Sequence, residues 1–189
     1  MCEACWGSIR VGQSLDEHFH PPHPIAWRTA VDEYDGRMKD IIHALKYDRR
    51  QSISPRLGAL MRTAGAALLR DADGVVPVPL HPWREYRRGF NQAHELAIHL
   101  GPPVMPLLKR IVHTPSQIEL PRDQREANVK GAFALTVAAS RLSVPGVVVL
   151  IDDVATTGAT LDSCATVLRR SGVREVRALT AARVVNARR

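Results

Sequence analysis

Hydrophobic residues alternate along the second half of the chain in patterns that predict strands and helices in turn. The run Gly146–Asp152 (GVVVLID) is continuously apolar up to its last residue, which predicts a strand buried on both faces of a parallel sheet. Gly158–Arg170 places apolar residues on one helical face, and Glu175–Val185 predicts a final strand. This alternation predicts an α/β fold in which helices flank a parallel sheet.

The first half of the chain continues the same alternation after an irregular start. Apolar residues three and four positions apart predict helices that begin near Gly36 and Ser54. Gly74–Leu80 and Val104–Leu108 are short apolar runs that predict strands, with a further helix between them. Residues 1–30 lack periodicity and include HFHPPHP. We therefore expect a short irregular N-terminal arm over residues 1–33 and one domain over residues 34–189.

Composition narrows the class of protein. Of 189 residues, 45% are hydrophobic and 24% are charged, as in ordinary globular domains. No apolar run approaches the roughly 20 residues of a membrane span, and the N-terminus lacks a signal-peptide core. Three cysteines fit a reducing compartment, so we expect a cytoplasmic protein without membrane insertion. The net charge of +7 favours an anionic ligand, either a phosphorylated small molecule or nucleic acid.

Two adjacent carboxylates and a run of hydroxyl residues follow the clearest strand. Ligands of α/β sheets bind beyond the carboxyl ends of strands, and a helix N-terminus favours phosphate. Carboxylates accept hydrogen bonds from sugar hydroxyls or help to hold a hydrated Mg²⁺, so the pattern predicts a phosphorylated ribose. The alternative is that the threonines only cap a helix and the acid pair is a solvated strand end. The candidate residues are Asp152, Asp153, Ala155, Thr156, Thr157, Gly158, Ala159 and Thr160.

Neither of two common nucleotide motifs occurs in the chain: the P-loop pattern and a glycine-rich dinucleotide fingerprint after a strand are both absent. Instead, VVVLIDDVATTGAT resembles the signature of type I phosphoribosyltransferases, which bind 5-phosphoribosyl-1-pyrophosphate (PRPP). The segments YDGRMKDIIHALKY, VVPVPLHPWREYRRGFNQA and RIVHTPSQIELPRDQREANVKGAF resemble the ComF family of that superfamily. The resemblance covers about residues 34–185.

The resemblance implies a type I phosphoribosyltransferase fold and a Mg²⁺-dependent transfer in which pyrophosphate leaves ribose C1. It assigns the acid pair to the ribose hydroxyls and residues 155–160 to the 5-phosphate. It assigns pyrophosphate to the basic segment after the first sheet strand, although a solvated helix or a nucleic-acid contact would also explain that segment. The pyrophosphate-side residues are His81, Arg84, Arg87 and Arg88.

Residues 109–130 correspond, by the same resemblance, to a catalytic loop that closes over the substrate. The candidate catalytic residues are Arg125, for a pyrophosphate contact, and Arg110. Lys109 and Arg122 would serve equally well on charge alone.

Cys2 and Cys5 form a single C-x-x-C pair near the N-terminus. ComF relatives often carry a zinc ribbon built from two such pairs, and a structural Zn²⁺ site needs four ligands. The pair resembles the second half of a ribbon, as expected for a start codon placed too late or for a truncated ribbon. Alternatively, His18, His20 or His23 would supply the missing ligands.

A second class of function remains open beside the enzyme. The fold would then serve as a PRPP sensor or as a non-catalytic competence factor for DNA uptake, binding single-stranded DNA or partner proteins. Trp83, Tyr86 and Phe90 stand among the basic residues and would offer stacking surfaces for bases.

Overall fold

The central sheet is made of strands that are far apart in sequence. The computed structural model describes residues 6–7, 9, 15–47, 50–112, 131–139 and 143–185. Within these ranges the sheet has the order β1-β2-β7-β6-β3, and β2, β7, β6 and β3 run parallel. Its strands are β1 (Glu17–His18), β2 (Trp27–Glu33), β3 (Gly74–Pro77), β6 (Val147–Ala155) and β7 (Glu175–Arg183). A small antiparallel sheet pairs β4 (Leu108–Arg110) with β5 (Phe133–Leu135).

Helices cover both faces of the central sheet, which confirms the predicted architecture. They are α1 (Gly36–Tyr47), α2 (Ser54–Ala64), α3 (Ala66–Leu69), α4 (Pro82–Arg88), α5 (Gln92–Ala97) and α6 (Ala159–Arg170), with a 3₁₀ turn at Gln51–Ile53. In β6, Val149 and Ile151 pack into the core shared with α1, α2 and α5. Val148 and Leu150 pack into the core shared with α6. Because successive strand residues face opposite sides, the continuous apolar run of β6 fills both cores.

Strand β2 corrects the expected boundary of the irregular arm. Residues 27–33 pair in parallel with β7, and Thr29, Ala30 and Val31 are buried. The prediction of an irregular arm is therefore wrong for these residues, because their mixed polar pattern hides a strand whose burial comes from β7. The chain between Phe19 and Ala26 has no regular element, as expected.

The predicted strand Val104–Leu108 is also wrong for most of its length. Val104 forms only an isolated bridge with Val75, and the following strand begins at Leu108 in the small sheet. Pro106 has no backbone N–H to donate to a ladder, which ends pairing with the central sheet. The structure thereby places Arg110 on a hairpin beside the carboxyl ends of the main strands.

Several sequence expectations fall outside the described ranges. Cys2, Cys5 and Arg125 lie there, as does most of the expected loop, residues 113–130. Among the described residues, no helix has the length and apolar character needed to cross a membrane.

Gly65, between α2 and α3, offers a test of the close packing on β7. A β-carbon at this position would lie 2.5 Å from Leu179 Cδ2, and Leu179 is fully buried. We expect Gly65→Ala to lower the free energy of unfolding by about 1–3 kcal/mol, because the core must shift to admit the methyl group.

A double-mutant cycle, measured by urea denaturation, distinguishes the steric overlap with Leu179 from a loss of backbone freedom at residue 65. In a Leu179→Ala background, the added methyl group should cost much less. An equal cost in both backgrounds would refute the packing explanation.

Candidate functional site

The two adjacent carboxylates lie near the carboxyl end of β6, where an ammonium group meets them. Lys46, in the last turn of α1, places Nζ 3.0 Å from Asp153 Oδ1. The backbone N–H of Asp153 donates a hydrogen bond to Asp152 Oδ1 at 2.8 Å. Lys46 and Asp153 are both largely buried. A buried carboxylate pair needs such a counter-ion, because desolvation of unpaired charges is costly.

Burial and mutual charge control the protonation of this group. Burial raises the pKa of Asp152 and the charge of Asp153 raises it further, to about 7, although Lys46 and Arg110 oppose the change. Burial lowers the pKa of Lys46, but the charge and hydrogen bond of Asp153 outweigh this and leave it above its usual value. Asp152 therefore holds a proton below neutral pH while Lys46 stays charged.

A cleft of about 140 Å³ opens beside the acid pair and brings several predicted residues together. The predicted residues that line it are Asp152, Asp153, Thr156, Thr160, Arg84, Arg88 and Arg110. Ala155 and Gly158 line a small adjoining recess that also includes Thr156 and Thr160. The lining of the cleft thus combines carboxylates, threonine hydroxyls and arginines. A ligand that carries both hydroxyls and phosphates matches this combination.

The loop before α6 adopts the geometry needed to present backbone N–H groups. Gly158 is the N-cap residue with φ of +88°, a left-handed conformation that favours glycine. Thr157 Oγ1 accepts a hydrogen bond from the backbone N–H of Ala159, at 3.3 Å. Ala159 is buried as the first residue of α6. The helix start and the threonines of the loop therefore form a concave, partly positive end of the cleft.

The segment after β3 carries two of the cleft arginines on the short helix α4, and a second short helix, α5, follows it. Asn91 caps α5 and donates through Nδ2 to the carbonyl of Val78 at 3.1 Å. Arg88 Nη1 donates to Gln92 Oε1 at 2.9 Å, and its guanidinium lies 5.6 Å from the centre of the Tyr47 ring. These contacts fix Arg88 against α1 at the mouth of the cleft.

Two other predicted pyrophosphate-side residues lie away from the cleft wall. His81 Nδ1 accepts a hydrogen bond from the N–H of Trp83 at 3.3 Å and caps α4. Arg87 stacks over Trp83 at 4.8 Å from the ring centre. His81 therefore has a structural contact here, while Arg87 belongs to a neighbouring aromatic surface.

Arg110 reaches the cleft from β4 and is almost fully buried. Its guanidinium lies 5.4 Å from the centre of the Phe133 ring on β5. Burial and the charge of Arg84 lower the pKa of Arg110. Arg84 and Arg110 both line the cleft, so an anion bound there would be attracted by both charges.

Sequence reasoning missed several residues that line the cleft, among them Lys46 and Gln92. Lys46 ends an amphipathic helix, where a lysine usually only favours the helix dipole. Gln92 is 2% exposed, and its Nε2 finds no hydrogen-bond partner among the described residues. Because Arg88 can only donate, the amide oxygen must face it and the unpaired NH₂ must face elsewhere. Both residues lie in segments that resemble the ComF family, and that resemblance was the one signal in the sequence that could have indicated them.

Proteins named for competence or for DNA utilization are similar to much of this chain. Competence protein F of Haemophilus influenzae is 32% identical, with 77% of this chain and 68% of that protein covered. DNA utilization protein YhgH of Escherichia coli K12 is 31% identical, with 93% and 87% covered. Competence protein ComFC of Streptococcus pneumoniae is 26% identical, with 82% and 67% covered. No protein-family model matches the chain.

Solved structures show weaker similarity. An allosteric regulatory enzyme of purine biosynthesis superposes with a TM-score of 0.43 at 22% identity, covering 69% of this chain and 26% of that one. The protein TT1426 of Thermus thermophilus superposes with a TM-score of 0.38 at 18% identity, covering 72% of this chain and 85% of that one. Superpositions at these scores do not define a common fold.

The pKa of Asp152 predicts a pH-dependent stability that Asp152→Asn should remove. The pKa of Asp152 is 3.8 in the unfolded chain and about 7 in the folded protein. At pH values between these two, the folded protein binds one proton more than the unfolded chain. The contribution of this group to stability therefore falls as pH rises through that window. We subtract the free energy of unfolding of the wild type from that of Asp152→Asn. This difference should be higher at about pH 8 than at about pH 4, by on the order of 1 kcal/mol or more.

Urea denaturation at both pH values measures the difference. Asp40→Asn, on the exposed side of α1, is the matched control. If the difference in stability between Asp152→Asn and the wild type does not change with pH, the raised pKa of Asp152 is contradicted.

Proposed function

The chain belongs to the ComF family of competence proteins, and on that basis we propose that it binds PRPP in the cleft at the carboxyl end of β6. The observation that carries the proposal is the convergence of an acid pair, a hydroxyl-rich loop at a helix start and three arginines on one cleft. PRPP combines a ribose diol, a 5-phosphate and a pyrophosphate. The carboxylates, the loop and the arginines of the cleft would match these three groups chemically.

Asp152 and Asp153 would accept hydrogen bonds from the ribose 2- and 3-hydroxyls. Residues 155–160 would donate backbone and hydroxyl hydrogen bonds to the 5-phosphate. Arg84, Arg88 and Arg110 would face the pyrophosphate, with planar donor groups suited to phosphate oxygens. Lys46 would hold Asp153 in place while the diol binds.

A magnesium ion carried by the ligand fits this donor set, whereas a metal held by the protein alone does not. Among the described residues, no three His, Cys, Asp or Glu side chains converge as a metal site. Lys46 also neutralises one side of Asp153. Mg²⁺ retains several waters and needs only one or two carboxylates beside substrate phosphates, and Asp152 meets that need. When bound with PRPP, the ion would neutralise charge on the departing pyrophosphate.

The reaction proposed for this site is a displacement at ribose C1. The bond from C1 to the pyrophosphate oxygen breaks, and its electron pair leaves with pyrophosphate. A lone pair of the acceptor then forms the new bond to C1. The arginines would stabilise the charge that develops on the leaving group, and the acid pair would hold the ribose in position.

Calorimetric titration of PRPP, with and without Mg²⁺, tests the binding. We expect Mg²⁺-dependent binding that Asp152→Asn with Asp153→Asn weakens by roughly a hundredfold, because several hydrogen bonds to charged acceptors are lost. Asp40→Asn controls for the loss of an acidic residue and should bind as the wild type does. Unchanged affinity in the double variant would remove the sugar-contact role.

A second candidate function, binding of single-stranded DNA, is favoured by the surface formed by α4. Trp83 is 51% exposed and Tyr86 is 87% exposed, and Arg87 stacks on Trp83. Exposed aromatic rings beside arginines provide stacking for bases and attraction for phosphates. The relatives named for competence and DNA utilization are consistent with such contact.

Fluorescence anisotropy with a labelled oligothymidine tests this surface. If DNA binds there, Trp83→Ala with Tyr86→Ala should weaken binding by roughly tenfold or more, since each stacked base contributes ~1–3 kcal/mol. The affinity should also fall steeply with salt. Val137→Ala, an exposed apolar residue elsewhere, is the control. Equal binding by the double variant and the control would exclude the α4 surface.

A further inference from the structure

A cluster of charged residues from three strands lies beside the loop that precedes α6. Glu17 of β1 accepts a hydrogen bond from Arg28 Nε of β2 at 2.8 Å and also pairs with Arg28 Nη2. Its other oxygen, Oε1, lies 2.5 Å from Arg183 Nη1 at the end of β7. Burial alone would raise the pKa of Glu17, but its hydrogen bond to Arg28 and the charges of both arginines hold it below its usual value. One carboxylate thus bridges two guanidinium groups.

Arg28 lies directly against Gly158. A β-carbon on residue 158 would overlap Arg28 Nη1, so the absence of a side chain there admits the guanidinium. Glu17 engages Nε and Nη2, which leaves the Nη1 edge toward the loop. The guanidinium carbon also lies over the Phe19 ring, 5.2 Å from its centre. Arg28 is therefore held in a defined position at the start of α6.

Two guanidinium groups meet at the carboxylate of Glu17. Arg28 is 11% exposed and Arg183 is 17% exposed, and both pair with Glu17. Asp162 lies in the first turn of α6 and offsets part of the positive charge of that helix N-terminus. The ion-pair cluster of Glu17, Arg28 and Arg183 itself holds one more guanidinium than carboxylate, which favours an anion at the loop. Glu17 belongs to a two-residue strand at the edge of the sheet, so only a short ladder holds it there.

We propose that Arg28 contacts the 5-phosphate of the ribose ligand and that Glu17 is an internal counter-ion whose hold on Arg28 the phosphate replaces. The proposal rests on the function proposed above, because it concerns the phosphate end of the same site. It adds a residue from the N-terminal strands, outside the loop motif.

The chemistry favours a phosphate monoester over the carboxylate. A phosphate carries up to two negative charges and three acceptor oxygens, and a guanidinium binds two of them in parallel. The arginines of the pyrophosphate side lie on α4 and β4, whereas Arg28 lies at Gly158. Arg28 therefore selects ligands that carry a 5-phosphate, and its removal should leave pyrophosphate binding unchanged.

Calorimetry with ribose 5-phosphate, PRPP and pyrophosphate tests the proposal on folded variants. We expect Arg28→Gln to weaken ribose 5-phosphate and PRPP by roughly tenfold, as for the loss of one charge-assisted hydrogen bond, without weakening pyrophosphate. Glu17→Gln removes the competing charge and should tighten ribose 5-phosphate several-fold. Asp71→Asn is the matched control, because it takes a carboxylate from Arg177 near the other end of β7.

The outcomes separate this proposal from the proposed function. PRPP binding that is unaffected by Arg28→Gln would overturn the role of Arg28 and leave the PRPP site intact. Ribose 5-phosphate binding that depends on Arg28, without any PRPP binding, would support Arg28 and overturn the PRPP proposal. Weaker phosphate binding by Glu17→Gln would overturn the counter-ion role, and it remains decisive if Arg28→Gln does not fold. Failure of the wild type to bind any of the three ligands would overturn both.

Discussion

The ion pair between Lys46 and Asp153 is the interaction on which the geometry of the candidate site depends. Two adjacent carboxylates near the end of a buried strand repel each other and lose hydration, and neither effect is tolerated without a nearby cation. Lys46 supplies that cation from the last turn of α1. The pair also ties α1 to β6, so the helix that covers one face of the sheet is registered against the strand that carries the acid pair.

The rest of the cleft follows from the parallel arrangement of the sheet. Parallel strands bring their carboxyl ends to one edge, where the segments that follow β3 and β6 meet. The first of these segments carries the arginines of α4, and the second carries the loop and the start of α6. The small β4–β5 sheet adds Arg110 from the side. Residues with opposite charges therefore converge although they are more than forty positions apart in the chain.

The N-terminal strands extend the proposed ligand site beyond the loop that precedes α6. Residues 27–33 add a strand next to β7 and carry Arg28 to the loop at Gly158. A segment that looked like an appendage is thus part of the sheet and, in our proposal, part of the phosphate end of the site. Glycine at position 158 then has two physical reasons: its left-handed backbone and the space taken by the guanidinium.

The sequence by itself determined the alternation of elements, the buried strand β6 and the candidate loop, because these depend on local patterns of apolar residues, acids and threonines. It also indicated which arginines follow β3. Only the tertiary structure decided that Lys46 meets Asp153, that Arg110 enters the cleft while His81 does not line it, and that Arg28 lies against Gly158. The tertiary structure also decided that residues 27–33 form strand β2 and that Val104–Leu108 does not form the predicted strand. Each depends on which distant segment packs alongside, and local periodicity carries no information about that choice.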